Sequence, residues 1–249
     1  MKFVDEFRNN EYSKKLVEKL NNISSEKINI MEVCGTHTMA IFRYGIRDVL
    51  PPNVNLISGP GCPVCVTPQS YIDTAITLSE KADVIIATFG DMMKVPGKNG
   101  SLSKKKAEGA DVRIVYSPMD CLEMALKNPS KKIVFLSVGF ETTAPMTAIT
   151  AIEAKKNNIR NLSFFTAHKI VPPIMEALVA DKELRIDGFL LPGHVCAITG
   201  TKPFEFLSKE YNIPGVVTGF EPLDILQGLN TLVRDRKSTR LNSSHNHDL

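Results

Sequence analysis

The sequence predicts an α/β fold of parallel sheet, with strands enough for one wide sheet or, as favoured here, two smaller lobes. Three observations lead there. Eight apolar runs of strand length recur along the 249 residues. Most are continuous rather than alternating, as strands buried on both faces are. Helix-like amphipathic segments separate them, and strand–helix alternation of this kind builds βαβ units.

In chain order the strand candidates are INIMEV (28–33), VNLISG (54–59), DVIIATF (83–89), VRIVYS (112–117), KIVFLSVG (132–139), LSFFTAH (162–168), IDGFLLP (186–192) and IPGVVTG (213–219). The helical segments between and after them are AIFRYGIRDVL, YIDTAITLSEK, CLEMALKN, MTAITAIEAKKNN, IMEALVADKEL and PLDILQGLNTLV. Pro68, Pro118, Pro145, Pro172 and Pro222 stand near helix starts. The missing proline N–H has no partner to lose there. Pro96–Gly109 reads as a basic, glycine-rich loop, and Lys104-Lys105-Lys106 within it as a solvated run. A boundary near Asn128-Pro129-Ser130 divides the chain into a first lobe, 1–128, and a second, 129–235. Residues 236–249 (RKSTRLNSSHNHDL) are polar and unpatterned, and read as a disordered or foreign tail.

The composition, 43% hydrophobic and 23% charged, is that of a soluble globular protein. The net charge of +3 is weak and owes much to Arg236, Lys237 and Arg240 in the tail. A nucleic-acid surface is not expected from it. No run reaches the ~18 apolar residues of a membrane span, and MKFVDEFRNNEYSKK lacks the apolar core of a signal peptide. A cytoplasmic location is the expectation, with no membrane or nucleic-acid partner. Thiols stay reduced there, so a CxxC pair points to metal or redox chemistry before a structural disulfide.

Ligands of open parallel sheets bind beyond the carboxyl ends of the strands. The chemistry-bearing residues collect at those junctions. CGTHT (34–38) places Cys34 at a strand end, before a helix N-terminus that favours thiolate. His37 follows three residues on, and Thr36 and Thr38 offer hydroxyls. GPGCPVCVTP (59–68) carries Cys62 and Cys65 at the spacing of a redox dithiol or half a metal site, framed by glycine and proline. It is not a dinucleotide fingerprint, because the third glycine is absent. GFETTAP (139–145) carries Glu141, a proton carrier or histidine orienter, with Thr142 and Thr143 as natural helix caps. PGHV carries His194, TGFEP follows the last strand, and His168 sits beside Lys169. Cys121 is expected to pack in a helix, and Cys196 stays open. On these residues alone a metal site, a redox pair and a tight turn are all available.

CGTHT, GPGCPVCVTP, GFETTAP, PGHV and GFEPLD, in this order and spacing, resemble the HypD family of [NiFe]-hydrogenase maturation proteins, from the N-terminus to about Val233. The resemblance implies a scaffold and redox protein for assembly of the Fe(CN)2CO unit, a metallocentre assembly factor rather than a conventional turnover enzyme. Its implied partners are the small iron-carrying chaperone HypC and the cyanide donor HypE. Carried over by motif, Cys34 is an iron ligand shared with the chaperone. Cys62 and Cys65 are further iron-associated thiols or the dithiol that passes electrons. The resemblance also implies two Rossmann-like lobes flanking a central cleft, lined by His37, Glu141, Thr142, Thr143 and His194. The family continues into a C-terminal region whose cysteines bind a [4Fe-4S] cluster. No cysteine follows Cys196 in this chain, so those cluster ligands are expected to be missing. Three alternatives remain beside this one, a two-lobe binding module without chemistry and two that use the thiols. The first is a zinc protein with a Cys3His set of Cys34, His37, Cys62 and Cys65. The second is a thiol hydrolase with Cys34 as nucleophile and His37 as base.

Overall fold

A computed structural model gives the structure, which describes residues 10–22, 27–181 and 183–239. All eight expected strands form: β1 (Ile28–Glu32), β2 (Val54–Ser58), β3 (Val84–Thr88), β4 (Val112–Ile114), β5 (Lys132–Gly139), β6 (Leu162–His168), β7 (Gly188–Pro192) and β8 (Gly215–Thr218). The helices are α1 (Asn10–Asn21), α2 (Gly35–Arg43), α3 (Ile46–Val49), α4 (Gln69–Ser79), α5 (Leu102–Ala107), α6 (Asp120–Lys127), α7 (Ala144–Lys156), α8 (Val171–Val179), α9 (Gly193–Thr199), α10 (Phe206–Lys209) and α11 (Pro222–Thr239).

The strands pair into two four-stranded sheets, and every pairing is parallel. One runs β2-β1-β7-β8 and the other β4-β3-β5-β6. Numbered within its own unit, each sheet has the order 2-1-3-4. The two units therefore repeat one topology that the sequence does not display as a repeat.

The chain does not divide in sequence order. One compact unit takes residues 1–62 together with 172–249, and the other takes 63–171. The expected boundary at 128/129 is thus replaced by an insertion. The physical reason lies in two sets of bonds. β7 returns to lie beside β1, with Ile30 opposite Gly188, and the Asp187 amide donates to Asn29 O at 2.7 Å. The stretch around Asn128 is an internal turn of the inserted unit. The Asn161 side-chain amide donates to the carbonyls of Ala125, Asn128 and Lys131 at 3.0–3.1 Å and holds that turn against β6.

Each unit has its own core. In the discontinuous unit, Ile28, Ile30, Val54, Leu56 and Leu190 from the sheet pack with Leu20, Ile41, Ile46, Leu229 and Leu232 from the helices. In the inserted unit, Ile86, Val84, Leu136 and Val138 pack with Tyr71, Ile72, Ile76 and Leu102 on one side. Ile85, Phe135 and Ile133 pack with Cys121 and Ala125 on the other. Sheets covered on both faces require continuously apolar strands, and β3 and β7 are buried at every position.

Two local expectations change. Pro96–Gly109 is not all loop: Leu102–Ala107 is helix α5, capped by the Ser101 hydroxyl on the Lys104 amide, and Leu102 is buried. Lys105 is drawn out of the solvated run into ion pairs with Glu80 at 2.7 Å and Glu108 at 3.1 Å. The tail expected from 236 onward begins inside α11, which continues to Thr239, and residues 240–249 lie outside the described residues.

Candidate functional site

In the discontinuous unit the four parallel strands end on one edge of the sheet. Their carboxyl ends carry Cys34 (β1), Gly59–Cys62 (β2), Gly193-His194 (β7) and Thr218–Phe220 (β8). Four of the sequence motifs meet there because parallel strands deliver every strand-to-helix junction to one side. The strand order reverses between β1 and β7, so the CGTHT and PGHV loops leave on either side of the switch point.

Cys34 is buried, in extended backbone (φ −149°, ψ 130°), as the residue capping α2. The Cys62 loop is pressed onto it. The Gly35 amide donates to Gly61 O at 3.4 Å. A Cβ on Gly61 would fall 2.2 Å from Gly35 N, 2.6 Å from Cys34 C and 2.8 Å from Cys34 Cα. Only glycine admits that backbone-to-backbone approach. The contact sets the residue before Cys62 against Cys34 itself. Gly193 serves the other pair of strands in the same way, since a Cβ there would lie 2.7 Å from Thr218 O.

His37 is completely buried. Its Nε2 lies 3.0 Å from Gly219 O and 2.9 Å from Thr218 Oγ1. A carbonyl only accepts, so Nε2 carries the hydrogen and Nδ1 is left as a bare acceptor. Nδ1 is buried with no hydrogen-bond partner. Burial pushes the His37 pKa down, and the nearby His194 adds to that, against the hydrogen bond to Gly219. Phe220 packs between the two imidazoles, with ring centroids 4.7 Å from His37 and 5.1 Å from His194, and the His194 side chain is exposed. The expectation that His37 shares a proton or ligand with Cys34 is not met. Its bonded nitrogen ties CGTHT to the loop after β8, and no Cys34–His37 hydrogen bond forms. The thiol–imidazole dyad of a hydrolase is absent for the same reason.

Thr36 is exposed, and the Thr38 hydroxyl lies 3.4 Å from both Cys34 O and Glu32 Oε1. Glu32 was not singled out by sequence, since it sits inside an apolar strand run. A carboxylate within such a run, two residues before a motif cysteine, was the available signal. It is fully buried at the end of β1. Its Oε1 accepts from Ser58 Oγ at 2.8 Å and from Arg47 Nη2 at 3.3 Å, and Oε2 is buried without a partner.

The inserted unit gathers its own residues at the carboxyl ends of β5 and β6. Glu141 is buried; Oε1 accepts the Val171 amide at 2.7 Å, and Oε2 has no partner. Thr143 stands at the N-cap of α7 but does not cap it, because its hydroxyl turns back to Phe140 O at 3.0 Å. Thr142 is half-buried. His168 Nδ1 lies 3.3 Å from Ser137 Oγ, and burial lowers its pKa.

None of the five cysteines is in a disulfide. Cys62 is half-buried and Cys65 exposed. Cys121 is fully buried, and burial raises its thiol to about 12, as a packed helix position predicts. Cys196 is buried too. Among the described residues no three His, Cys, Asp or Glu side chains form a group able to hold a metal ion. The Nε2–H bond to Gly219 leaves Nδ1 as the nitrogen a metal could take, but no Cys3His group is assembled among the described residues. No four-cysteine group forms among the described residues either.

Two parallel α/β units of one topology, with thiols and histidines at the strand ends, define the class: a doubly wound protein whose motif loops converge on a sheet edge. The comparisons specify it further. The family model HypD, "Hydrogenase formation hypA family", matches residues 11–247. The chain is 49% identical over 243 residues to hydrogenase maturation factor HypD of Escherichia coli K12, covering 95% of this chain and 65% of that protein. It is 43% identical over 241 residues to HypD of Rhodobacter capsulatus (94% and 64%) and 44% over 248 residues to HypD of Azotobacter vinelandii (96% and 65%). The chain belongs to the HypD family. It spans about 65% of the length of these relatives, and the family match runs past Val233 into the segment expected to be foreign. The likeness to a solved structure, cell division protein FtsY of Thermotoga maritima, has a TM-score of 0.19 at 10% identity and carries no inference. Among the described residues no helix is long and apolar enough to cross a membrane.

Proposed function

We propose that this chain is a hydrogenase maturation factor, the scaffold and redox protein on which the Fe(CN)2CO unit of [NiFe] hydrogenase is assembled. It works with a HypC-type chaperone that brings the iron and a HypE-type donor that supplies cyanide. Iron is the cargo, and Cys34 and Cys62 are its thiolate ligands on this protein. Thiolates are soft donors suited to iron that carries cyanide and carbon monoxide. When not bound to iron, Cys62 and Cys65 have the spacing of a dithiol that would give up two protons and two electrons to a redox partner's acceptor on closing to a disulfide. His37, Thr36, Thr38 and His194 shape the surroundings of Cys34; Glu141, Thr142 and Thr143 are the motif residues at the strand ends of the inserted unit. The cytoplasm is the compartment in which such thiols remain reduced.

The observation that carries the proposal is the backbone contact of Gly61 with Cys34 and Gly35, which brings the two thiol-bearing loops of the discontinuous unit together. Family membership and the names of the relatives support the process. Complementation tests it. In cells whose own factor is deleted, the full-length protein should restore [NiFe]-hydrogenase activity, and Cys34→Ala, Cys62→Ala and Cys65→Ala should not. Normal hydrogenase activity in the Cys34→Ala strain would reject the proposal.

A further inference from the structure

We propose that Glu32 is a positioning residue that fixes the separation of Cys34 and Cys62. The inference rests on the assignment of those two thiols to one site. A carboxylate taken wholly out of water is costly unless compensated, and apolar residues of the same size usually serve a core as well or better. Glu32 nevertheless stands fully buried in a strand that is otherwise apolar apart from Asn29. Its bonds show what it joins.

Three side chains converge on Oε1, and they come from three different segments. Ser58 is the last residue of β2, at the root of the Cys62 loop, and lies opposite Glu32 in the sheet register. Thr38 is in the first turn of α2, four residues beyond Cys34. Arg47, from α3, donates to both Glu32 Oε1 and Ser58 Oγ at 3.3 Å and closes a triangle around the carboxylate. The backbone of Glu32 takes part as well: its carbonyl accepts the Gly59 amide at 2.8 Å. One residue thus grips the Cys62 loop by main chain and side chain, and the helix behind Cys34 by side chain. Gly61 supplies the contact farther out, at Cys34 itself. Two points of attachment on the same pair of loops define a separation, where one would leave a pivot.

Glu32 touches neither sulfur, so its effect passes through the loops. A merely structural residue would change stability alone. A positioning residue would change how well the two sulfurs act together. The test uses the full chain carrying Cys65→Ser and Cys121→Ser, with phenylarsine oxide, a trivalent arsenical that binds two adjacent thiols at once. Its dissociation constant is measured alongside thermal unfolding. The parent should bind one equivalent, and adding Cys34→Ser should abolish binding. Glu32→Gln keeps the shape but loses the charge on Arg47, and should weaken binding about tenfold at a temperature where both proteins are folded, the loss expected when a charge-assisted hydrogen bond goes. Ser58→Ala removes one bond from the other side and carries the same test should Glu32→Gln fail to fold.

Equal arsenical affinity in parent, Glu32→Gln and Ser58→Ala, with lowered melting temperature only, would overturn the proposal. So would a parent that binds no arsenical through Cys34, because there would be no pair to position. Maturation assays stand apart from this result. Intact arsenical capture with no role in hydrogenase maturation would reject the proposed function and leave the positioning role in place.

Discussion

Replacing Gly61 by alanine tests the geometry on which the site depends. The added Cβ would stand 2.2 Å from Gly35 N and under 3 Å from two backbone atoms of Cys34. Ordinary contact begins near 3.4 Å, so the loops must part by roughly 1 Å, a movement no side-chain rotation can supply because all three atoms are main chain. Overpacking of this kind costs about 1–3 kcal/mol, which corresponds to a fall in melting temperature of roughly 3–10 °C for a unit of this size. The functional loss should be larger. A misplacement of about 1 Å at a reacting site costs on the order of 100-fold, so maturation of hydrogenase should fall to about 1% at a temperature where the variant is folded. Thermal unfolding by circular dichroism and a complementation assay measure the two effects. Gly90→Ala is the control, because the nearest atom to its Cβ would be Ile114 Cγ2 at 3.9 Å. A Gly61→Ala protein with wild-type melting temperature and full maturation activity would refute the proposed loop contact.

The buried histidine gives a pH dependence. Burial depresses the folded pKa of His37 below its ordinary value near 6.5, so the unfolded chain binds the proton more readily. The stability from this group is full above about pH 6.5 and is lost as pH falls through the folded pKa. Urea midpoints measured from pH 7.5 to 5 should decline, and His37→Gln should flatten the decline; an unchanged slope would remove His37 as its source. Asn161→Ala should destabilise the inserted unit by about 1–3 kcal/mol, since three carbonyls lose their donor. Complementation at low temperature should be unaffected, and a stability equal to wild type would contradict the stitching of the 128–131 turn. Brief alkylation at pH 8 should label exposed Cys65 first and leave Cys121 unlabelled, given its burial and raised pKa. Peptide mapping that finds Cys121 modified in folded protein would be the contrary result.

All eight strands were legible because continuous apolar runs have one economical use, a sheet covered on both faces. The junction motifs were legible because parallel strands must place them on one edge. The order of the chain through the two units was not. Whether β7 continues one sheet or returns to another is decided by pairing partners 158 residues apart, such as Asn29 with Asp187, and local pattern carries no trace of that choice. The roles of individual side chains were partly hidden for the same reason. His37 stands beside Cys34 in the sequence, yet its bond goes to Gly219, 182 residues away. Glu32 is one polar letter in an apolar word, and its importance rests on Ser58 and Arg47. From sequence Gly61 offers a tight turn or a close backbone approach; its φ is unexceptional, and the approach to the backbone of Cys34 is what requires it.

In the proposed function the Cys34 and Cys62 loops form the place where iron carrying cyanide and carbon monoxide is held during assembly. The most direct measurement is an anaerobic infrared spectrum of the protein purified with its small chaperone partner, with iron and zinc determined on the same sample. Cyanide and carbon monoxide bands with stoichiometric iron are expected, with loss of both on Cys34→Ala. Stoichiometric zinc without those bands, or bands that survive Cys34→Ala undiminished, would contradict the proposed function.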